Sequence, residues 1–401
     1  MHYTGLAKYL KLAGTLKMKP VRGIPLRVLF RLQGMYADAK LTRVGDAIVI
    51  NSFLPPFPGR PFGRLALSVQ AALRAEVIPV SCYIGLTNRC NFNCWHCSKA
   101  LRRDAELPLA VVEKAIKGAL DLGACIIGFT GGEPLMREDL EGIIRGIGER
   151  ASALLFTTGD GLTRQRAAAL KAAGLFGIAV SLDSPDGDVH NRLRGSADAF
   201  GTATNAVRVS LENEFFTMLQ VVARKDFIDH EIWPYIEFAK DLGAHEIRVI
   251  EPMPTGSLIN AEDCLLSQEE RQMLKDIHVE VNRRKDYPTM SCFAYIEDEC
   301  MYGCGAGIQH MYIDAQGDVC PCDFTPLSFG NVNEENLDII WARLREAFAR
   351  PRSTCFLLEN SAQIRAACNG ELPLDTETSM RICRKCAAGT IPEYYRILGW
   401  K

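Results

Sequence analysis

From residue 80 onwards, short apolar runs alternate with helical stretches, and few architectures accept that alternation. The runs are CYIGLT (82–87), CIIGFT (125–130), ALLFTT (153–158), GIAVSL (177–182), MLQVVA (218–223) and EIRVIE (246–251). Each is short and rich in β-branched or aromatic residues, as buried parallel strands are. Between them lie stretches such as LPLAVVEKAIKGALDLG and LTRQRAAALKAAGL, whose apolar residues recur at helical spacing and which end near Gly123 and Gly174. Six strand–helix units predict an α/β fold, a parallel sheet or a partial (β/α)6 TIM-type barrel, with functional groups at the carboxyl ends of the strands.

The flanks differ from this rhythm. Residues 1–79 form an N-terminal basic extension. Lys8, Lys11, Lys17, Lys19, Arg22, Arg27, Arg31, Lys40 and Arg43 stand against a single acid, Asp38, up to position 43, with Leu, Val and Phe interleaved. Such a segment is either a solvated pair of helices packed on the main domain or a surface that meets an anionic membrane. KLTRVGDAIVINSFLPPFPGRPFGRL then reads as a hairpin and a Pro-rich connection. Residues 80–285 hold the barrel, and 286–401 form a cysteine-rich domain in which HMYIDAQGDVCPC reads as a hairpin turning at Gln316 and Gly317.

Composition sets broad limits. A formal net charge of -2 gives no basis for nucleic-acid binding, so electrostatic arguments have to be local. Fifteen cysteines in tight clusters, without a secretion signal, point to thiolates kept reduced for metal in a cytoplasmic protein rather than to disulfides. No apolar run of about 18 residues occurs, so no membrane-spanning helix is expected.

Among those clusters, RCNFNCWHC places Cys90, Cys94 and Cys97 on one loop after the first strand. A structural zinc site would call for a fourth Cys or His, and His96 is wedged between its neighbours. Three thiolates suit three irons of a cubane cluster and leave the fourth iron open to chelate a small molecule.

CxxxCxxC after the first strand and GGEP after the second closely resemble the radical S-adenosylmethionine (radical SAM) enzymes. The resemblance implies a [4Fe-4S] cluster on Cys90, Cys94 and Cys97 whose open iron binds S-adenosylmethionine. Reductive cleavage then yields methionine and a 5′-deoxyadenosyl radical that takes hydrogen from the substrate. His96 stands where the family has an aromatic residue whose backbone meets the adenine, and Gly131, Gly132 and Glu133 correspond to the lining of the methionine amino group. Thr158 lies in TTGDG, which resembles the family's Thr-Asn-Gly turn with Asp160 displaced. Ser181 and Asp183 of SLDSP take the positions of ribose and carboxylate contacts, and Arg224 that of a methionine carboxylate partner; a capping hydroxyl at Ser181 and a surface charge at Arg224 are the alternatives.

The C-terminal cysteines resemble the auxiliary-cluster extension called SPASM, or its shorter relative called twitch. Cys304, Cys322, Cys383 and Cys386 match as ligands of one auxiliary [4Fe-4S] cluster. No further cysteine follows the CxxC, and Cys292, Cys300, Cys320, Cys355 and Cys368 remain unassigned. The implied function is hydrogen abstraction from a peptide or small-molecule natural product, with the auxiliary cluster accepting an electron and a low-potential donor such as flavodoxin or ferredoxin feeding the first cluster. A lipid or isoprenoid met at the membrane is the alternative substrate, and a non-catalytic electron carrier the alternative of another class. No catalytic acid or base is named by the sequence.

Overall fold

In a computed structural model, which describes residues 2–386 and 389–401, six parallel strands run in chain order through the centre of the molecule. Three strands precede them: β1 (His2–Tyr3), β2 (Leu41–Val44) and β3 (Ala47–Val49) make a separate antiparallel sheet. The six are β4 (Ser81–Thr87), β5 (Ile126–Gly131), β6 (Ser152–Thr157), β7 (Leu175–Ser181), β8 (Phe216–Val222) and β9 (Glu246–Ile250). Their bounds lie within two residues of the apolar runs at every N-terminal end. Buried parallel strands are apolar on both faces, so the run itself marks the strand.

The cysteine-rich segment adds to the same sheet at both edges. β10 (Thr289–Cys292) pairs parallel with β9, and β11 (His310–Ile313) pairs parallel with β4 and antiparallel with β12 (Val319–Cys320). The β11–β12 turn forms where Gln316 and Gly317 place it: Gly317 has φ +94°, and the Asp314 carboxylate accepts from the backbone N–H of Gln316 and Asp318.

Helices cover the outer face. Leu109–Leu122 and Arg164–Ala173 stop at Gly123 and Gly174, both at positive φ, as the sequence predicts. Alternation within each strand divides the side chains: Cys82, Ile84 and Leu86 of β4 join the core under the helices, whereas Tyr83 packs inside the barrel with Phe156, Met218 and Tyr312.

The N-terminal extension comprises helices Gly5–Gly14, Lys19–Arg22, Leu26–Met35 and Arg60–Ala72 around the small sheet. Its basic residues do not share one face. Lys8 Nζ is buried and donates to the carbonyls of Tyr36, Ala37 and Ala39; Lys40 Nζ, also buried, donates to those of Val281, Arg284 and Tyr287 at the end of helix Gln268–Arg283. These two lysines are clamps for orphan carbonyls. Ser52 bonds the buried Glu246 carboxylate through both its N–H and its hydroxyl and receives a bond from Arg248, which docks the extension onto β9.

Candidate active site

The three-cysteine loop is held from two sides. Leu193 and Arg194 carbonyls accept from the N–H groups of Trp95 and Asn93, while Ser257 N–H donates to the Cys97 carbonyl at 2.9 Å. Both clamps need glycine. Gly195 (φ +62°) and Gly256 (φ +55°) lie so close that a Cβ would sit 2.6 Å from Asn93 O and 2.2 Å from Cys97 O. Asp160 of the TTGDG turn accepts a 2.7 Å bond from Asn91, inside the loop.

GGEP reaches the loop through backbone. A Cβ on Gly131 would meet Thr87 O at 2.3 Å and one on Gly132 would meet Arg89 O at 2.2 Å; Gly132 N–H donates to Thr87 O and Glu133 N–H to Arg89 O. These glycines are therefore required by the close approach of the second strand end to the chain entering the cysteine loop. The buried Glu133 carboxylate accepts from Thr157 Oγ1, Thr158 N–H, Thr158 Oγ1 and Leu135 N–H at 2.6–3.0 Å, which fastens the ends of β5 and β6 together. Burial raises its pKa, and those hydrogen bonds oppose the rise.

Asp183 anchors a charged cluster beside Cys94. Its Oδ2 lies 2.8 Å from Arg194 Nε and 3.5 Å from His96 Nε2, its Oδ1 accepts from Val222 N–H, and its own N–H donates to His190 Nδ1. Arg194 in turn reaches Cys94 Sγ at 3.5 Å. Burial works against ionisation of Asp183, and the neighbouring Arg194 and His96 more than offset it, so its pKa lies below the usual carboxylate range. Arg194 has no counterpart in the sequence reading. The only hint was its place in HNRLRG, and its importance depends on a contact 100 positions back along the chain.

Ser181 sits half-buried at the end of β7, in register with Gln220, which accepts from Arg248. Arg224 pairs with Asp226 and Glu231 through Nε and Nη2, while its Nη1 is buried without a hydrogen-bond partner among the described residues. Burial pushes the Cys90 thiol up to about 11 and raises that of Cys94, where the Arg194 charge opposes it. Both thiols need a positive centre to ionise near neutral pH.

A cavity of about 350 Å³ extends from the N-terminal helices to the cysteine-rich segment. Leu12, Ile24, Leu29 and Phe30 line its outer part, and Phe53, Phe293 and Phe324 its inner part. Trp95, between Cys94 and His96, packs against the same Phe53, Phe293 and Phe324 cluster. Its polar lining includes Arg248, which lies over the Phe53 and Phe293 rings, Glu297 and the His310–Asp323 pair, and Cys304, Cys322 and Cys355 line it as well. Cys383 and Cys386 are outside this lining; Cys386 Sγ donates to Asn360 Oδ1 at 3.1 Å. The cavity thus reaches three of the C-terminal thiols, while Cys90, Cys94 and Cys97 stand outside its lining and Trp95 alone of their loop adjoins its phenylalanines.

A model of the Radical SAM superfamily matches residues 84–239, and a model of the SPASM iron–sulfur cluster-binding domain matches 304–387. The chain belongs to the radical SAM superfamily and carries a C-terminal SPASM domain. It is a radical SAM enzyme, with a SAM-binding [4Fe-4S] cluster and auxiliary SPASM iron–sulfur chemistry as its cofactors. Similar proteins include the AdoMet-dependent heme synthase of Methanosarcina barkeri (strain Fusaro / DSM 804), 27% identical over 280 residues, or 64% of this chain and 80% of the relative. Two solved structures share the fold. SuiB of Streptococcus suis bound to its precursor peptide SuiA has a TM-score of 0.56 at 18% identity, over 70% of this chain and 69% of that one. anSMEcpe with bound AdoMet and the Cp18Cys peptide has a TM-score of 0.54 at 19% identity, over 67% and 80%. Among the described residues, no helix of this radical SAM/SPASM enzyme is long and apolar enough to cross a membrane.

Proposed function

We propose that this radical SAM/SPASM enzyme abstracts hydrogen from a substrate with a long apolar chain, such as a lipid or isoprenoid, drawn from an anionic membrane surface into the cavity that runs from the N-terminal helices to Cys304 and Cys322. The observation that carries this reading is the lining of the cavity, which is mostly apolar with a small set of polar side chains. An amphiphile with one polar group matches that distribution.

The extension supports the same reading. Leu6, Leu10, Leu26 and Phe30 are 76%, 66%, 62% and 70% exposed on helices that also line the cavity mouth, with Lys11, Lys17, Lys19 and Arg27 interleaved. Exposed large apolar side chains with bases between them fit a headgroup surface. Residues 1–79 would then deliver substrate, 80–285 hold the radical chemistry and 286–401 the auxiliary site, in an enzyme working on the cytoplasmic side with a flavodoxin- or ferredoxin-type donor.

The residues fit the groups assigned to them. Cys90, Cys94 and Cys97 offer three soft donors and no fourth within their loop, which suits a cluster with an open iron. When bound there, the cluster supplies the electron that cleaves S-adenosylmethionine to the 5′-deoxyadenosyl radical. Arg194 steadies the Cys94 thiolate, and Arg224 offers its free Nη1 to the methionine carboxylate. His96, Gly131, Gly132, Glu133, Thr158, Ser181 and Asp183 shape the wall at the strand ends; Glu133 and Asp183 act as positioning residues, because their carboxylates are engaged within the protein. Cys304 and Cys322, with the Cys383–Cys386 pair, hold the auxiliary cluster. Trp95 and the phenylalanines around it keep water from the space between.

The test uses reconstituted enzyme, S-adenosylmethionine, dithionite and vesicles whose lipids carry perdeuterated acyl or isoprenoid chains. Deuterium is expected in the 5′-deoxyadenosine formed. Production of undeuterated 5′-deoxyadenosine with both lipid types would overturn the lipid reading and leave a peptide substrate, the kind named for SuiB and anSMEcpe, as the one to pursue.

A further inference from the structure

The auxiliary end of the cavity holds a thiol that the cysteine spacing does not assign. Side-chain ligand atoms of Glu297, Cys304 and Cys355 all lie within 4.8 Å of one another, from two stretches of the chain about 50 residues apart. Cys304 and Cys355 line the cavity together with Cys322, whereas Cys383 and Cys386 do not.

Backbone contacts fix Cys355 in this place. Cys304 N–H donates to Arg352 O at 2.9 Å and Ser353 N–H to Thr390 O at 2.9 Å. Gly303 (φ +66°) allows the approach, since a Cβ there would stand 2.3 Å from Arg352 O. The Glu297 carboxylate beside the two sulfurs makes no hydrogen bond or ion pair among the described residues. A half-buried carboxyl group without such a partner, beside two thiols, leaves polar atoms that a bound group would engage.

We propose that Cys355 is a ligand of the auxiliary cluster, so that Cys304, Cys322 and Cys355 bind it at the cavity end, one member of the Cys383–Cys386 pair supplies the fourth thiolate, and Glu297 lies against it on the substrate side. This rests on the reading above that Cys304 and Cys322 hold the cluster, and it revises that ligand set by one member.

The experiment uses the full chain with Cys90, Cys94 and Cys97 replaced by Ala, so that iron enters only the auxiliary site. Anaerobic reconstitution is followed by iron and sulfide analysis and EPR of the reduced protein, with about four irons per chain expected for one cubane. Cys355→Ser is expected to lose iron or to yield a three-iron signal. Cys355→Asp, which keeps an anionic ligand, retains more iron than Cys355→Ser and gives a shifted spectrum. One of Cys383→Ser and Cys386→Ser keeps the full complement, and Glu297→Gln keeps the iron but moves the cluster's midpoint potential.

Full iron and an unchanged spectrum in Cys355→Ser, with loss in both CxxC variants, would overturn the proposal. So would equal losses in Cys355→Ser and Cys355→Asp, the result expected of a packing role. An unmoved potential in Glu297→Gln would remove the carboxylate from the cluster. Full iron in Cys304→Ser and Cys322→Ser would instead refute the underlying ligand reading.

Discussion

At the scale of single residues, the cysteine loop depends on neighbours remote in sequence. Replacing Gly256 by Ala puts a Cβ 2.2 Å from Cys97 O at a φ of +55° that side chains rarely adopt. The variant is expected to fold but to bind less than half the iron of the wild type at the first site, read by iron analysis after reconstitution of a chain lacking Cys304, Cys322, Cys355, Cys383 and Cys386. Arg194→Ala leaves the buried Asp183 carboxylate without its guanidinium. A loss of about 3–5 kcal/mol is expected in chemical denaturation, because an uncompensated buried charge costs more than the pair contributes.

A third residue sets a pH limit. His278 is buried, stacks on Tyr295 at 3.9 Å and accepts from Cys292 N–H; burial lowers its pKa to about 3. The unfolded chain takes up its proton near pH 6.5 and the folded chain does not, so stability is full above pH 6.5 and falls as pH drops from there towards 3. At pH 5 the loss from this residue is up to about 2 kcal/mol relative to neutral pH. Unfolding midpoints measured between pH 7 and pH 5 check it, and the slope should flatten in His278→Gln.

At the scale of elements, the basic run divides into anchors and surface. Lys40 satisfies three carbonyls at the end of helix Gln268–Arg283, so Lys40→Met is expected to cost about 2–4 kcal/mol, seen as a lower thermal midpoint. Leu10→Asp and Phe30→Asp, at positions already in solvent, should leave that midpoint within about 0.5 kcal/mol of wild type. The pair should instead abolish flotation with vesicles containing anionic lipid, and high salt should weaken wild-type binding by screening the bases. Equal flotation of wild type and the double variant would remove the membrane from the account. A truncation at Pro79 would be a poorer probe, because it also strips Ser52 from Glu246 and Lys40 from its carbonyls.

At the scale of the whole molecule, one sheet carries both cluster-bearing segments. β10 and β11 extend the barrel strands at either edge, so the SPASM cysteines are positioned by the same hydrogen-bonded framework as the radical SAM loop. The extension forms the outer wall of the cavity that reaches the SPASM cysteines. Filling it with Leu29→Trp should leave 5′-deoxyadenosine formation near wild type while reducing its dependence on added lipid at least tenfold, read in parallel assays with and without vesicles.

The strand rhythm, the helix-stopping glycines and the three-cysteine loop were all legible in the amino-acid sequence, because each follows from local pattern: apolar runs make buried strands, glycine takes positive φ, and thiols four and three positions apart lie on one loop. The spacing also marked the second group of thiols. Tertiary structure alone decided which side chains share a space. Arg194 beside Cys94, Cys355 beside Cys304, Lys8 and Lys40 turned inward, and an apolar cavity spanning 1–79 and the cysteine-rich segment all arise from contacts between residues tens to hundreds of positions apart. No periodicity encodes such contacts, since they depend on how the sheet curves and what closes its open side.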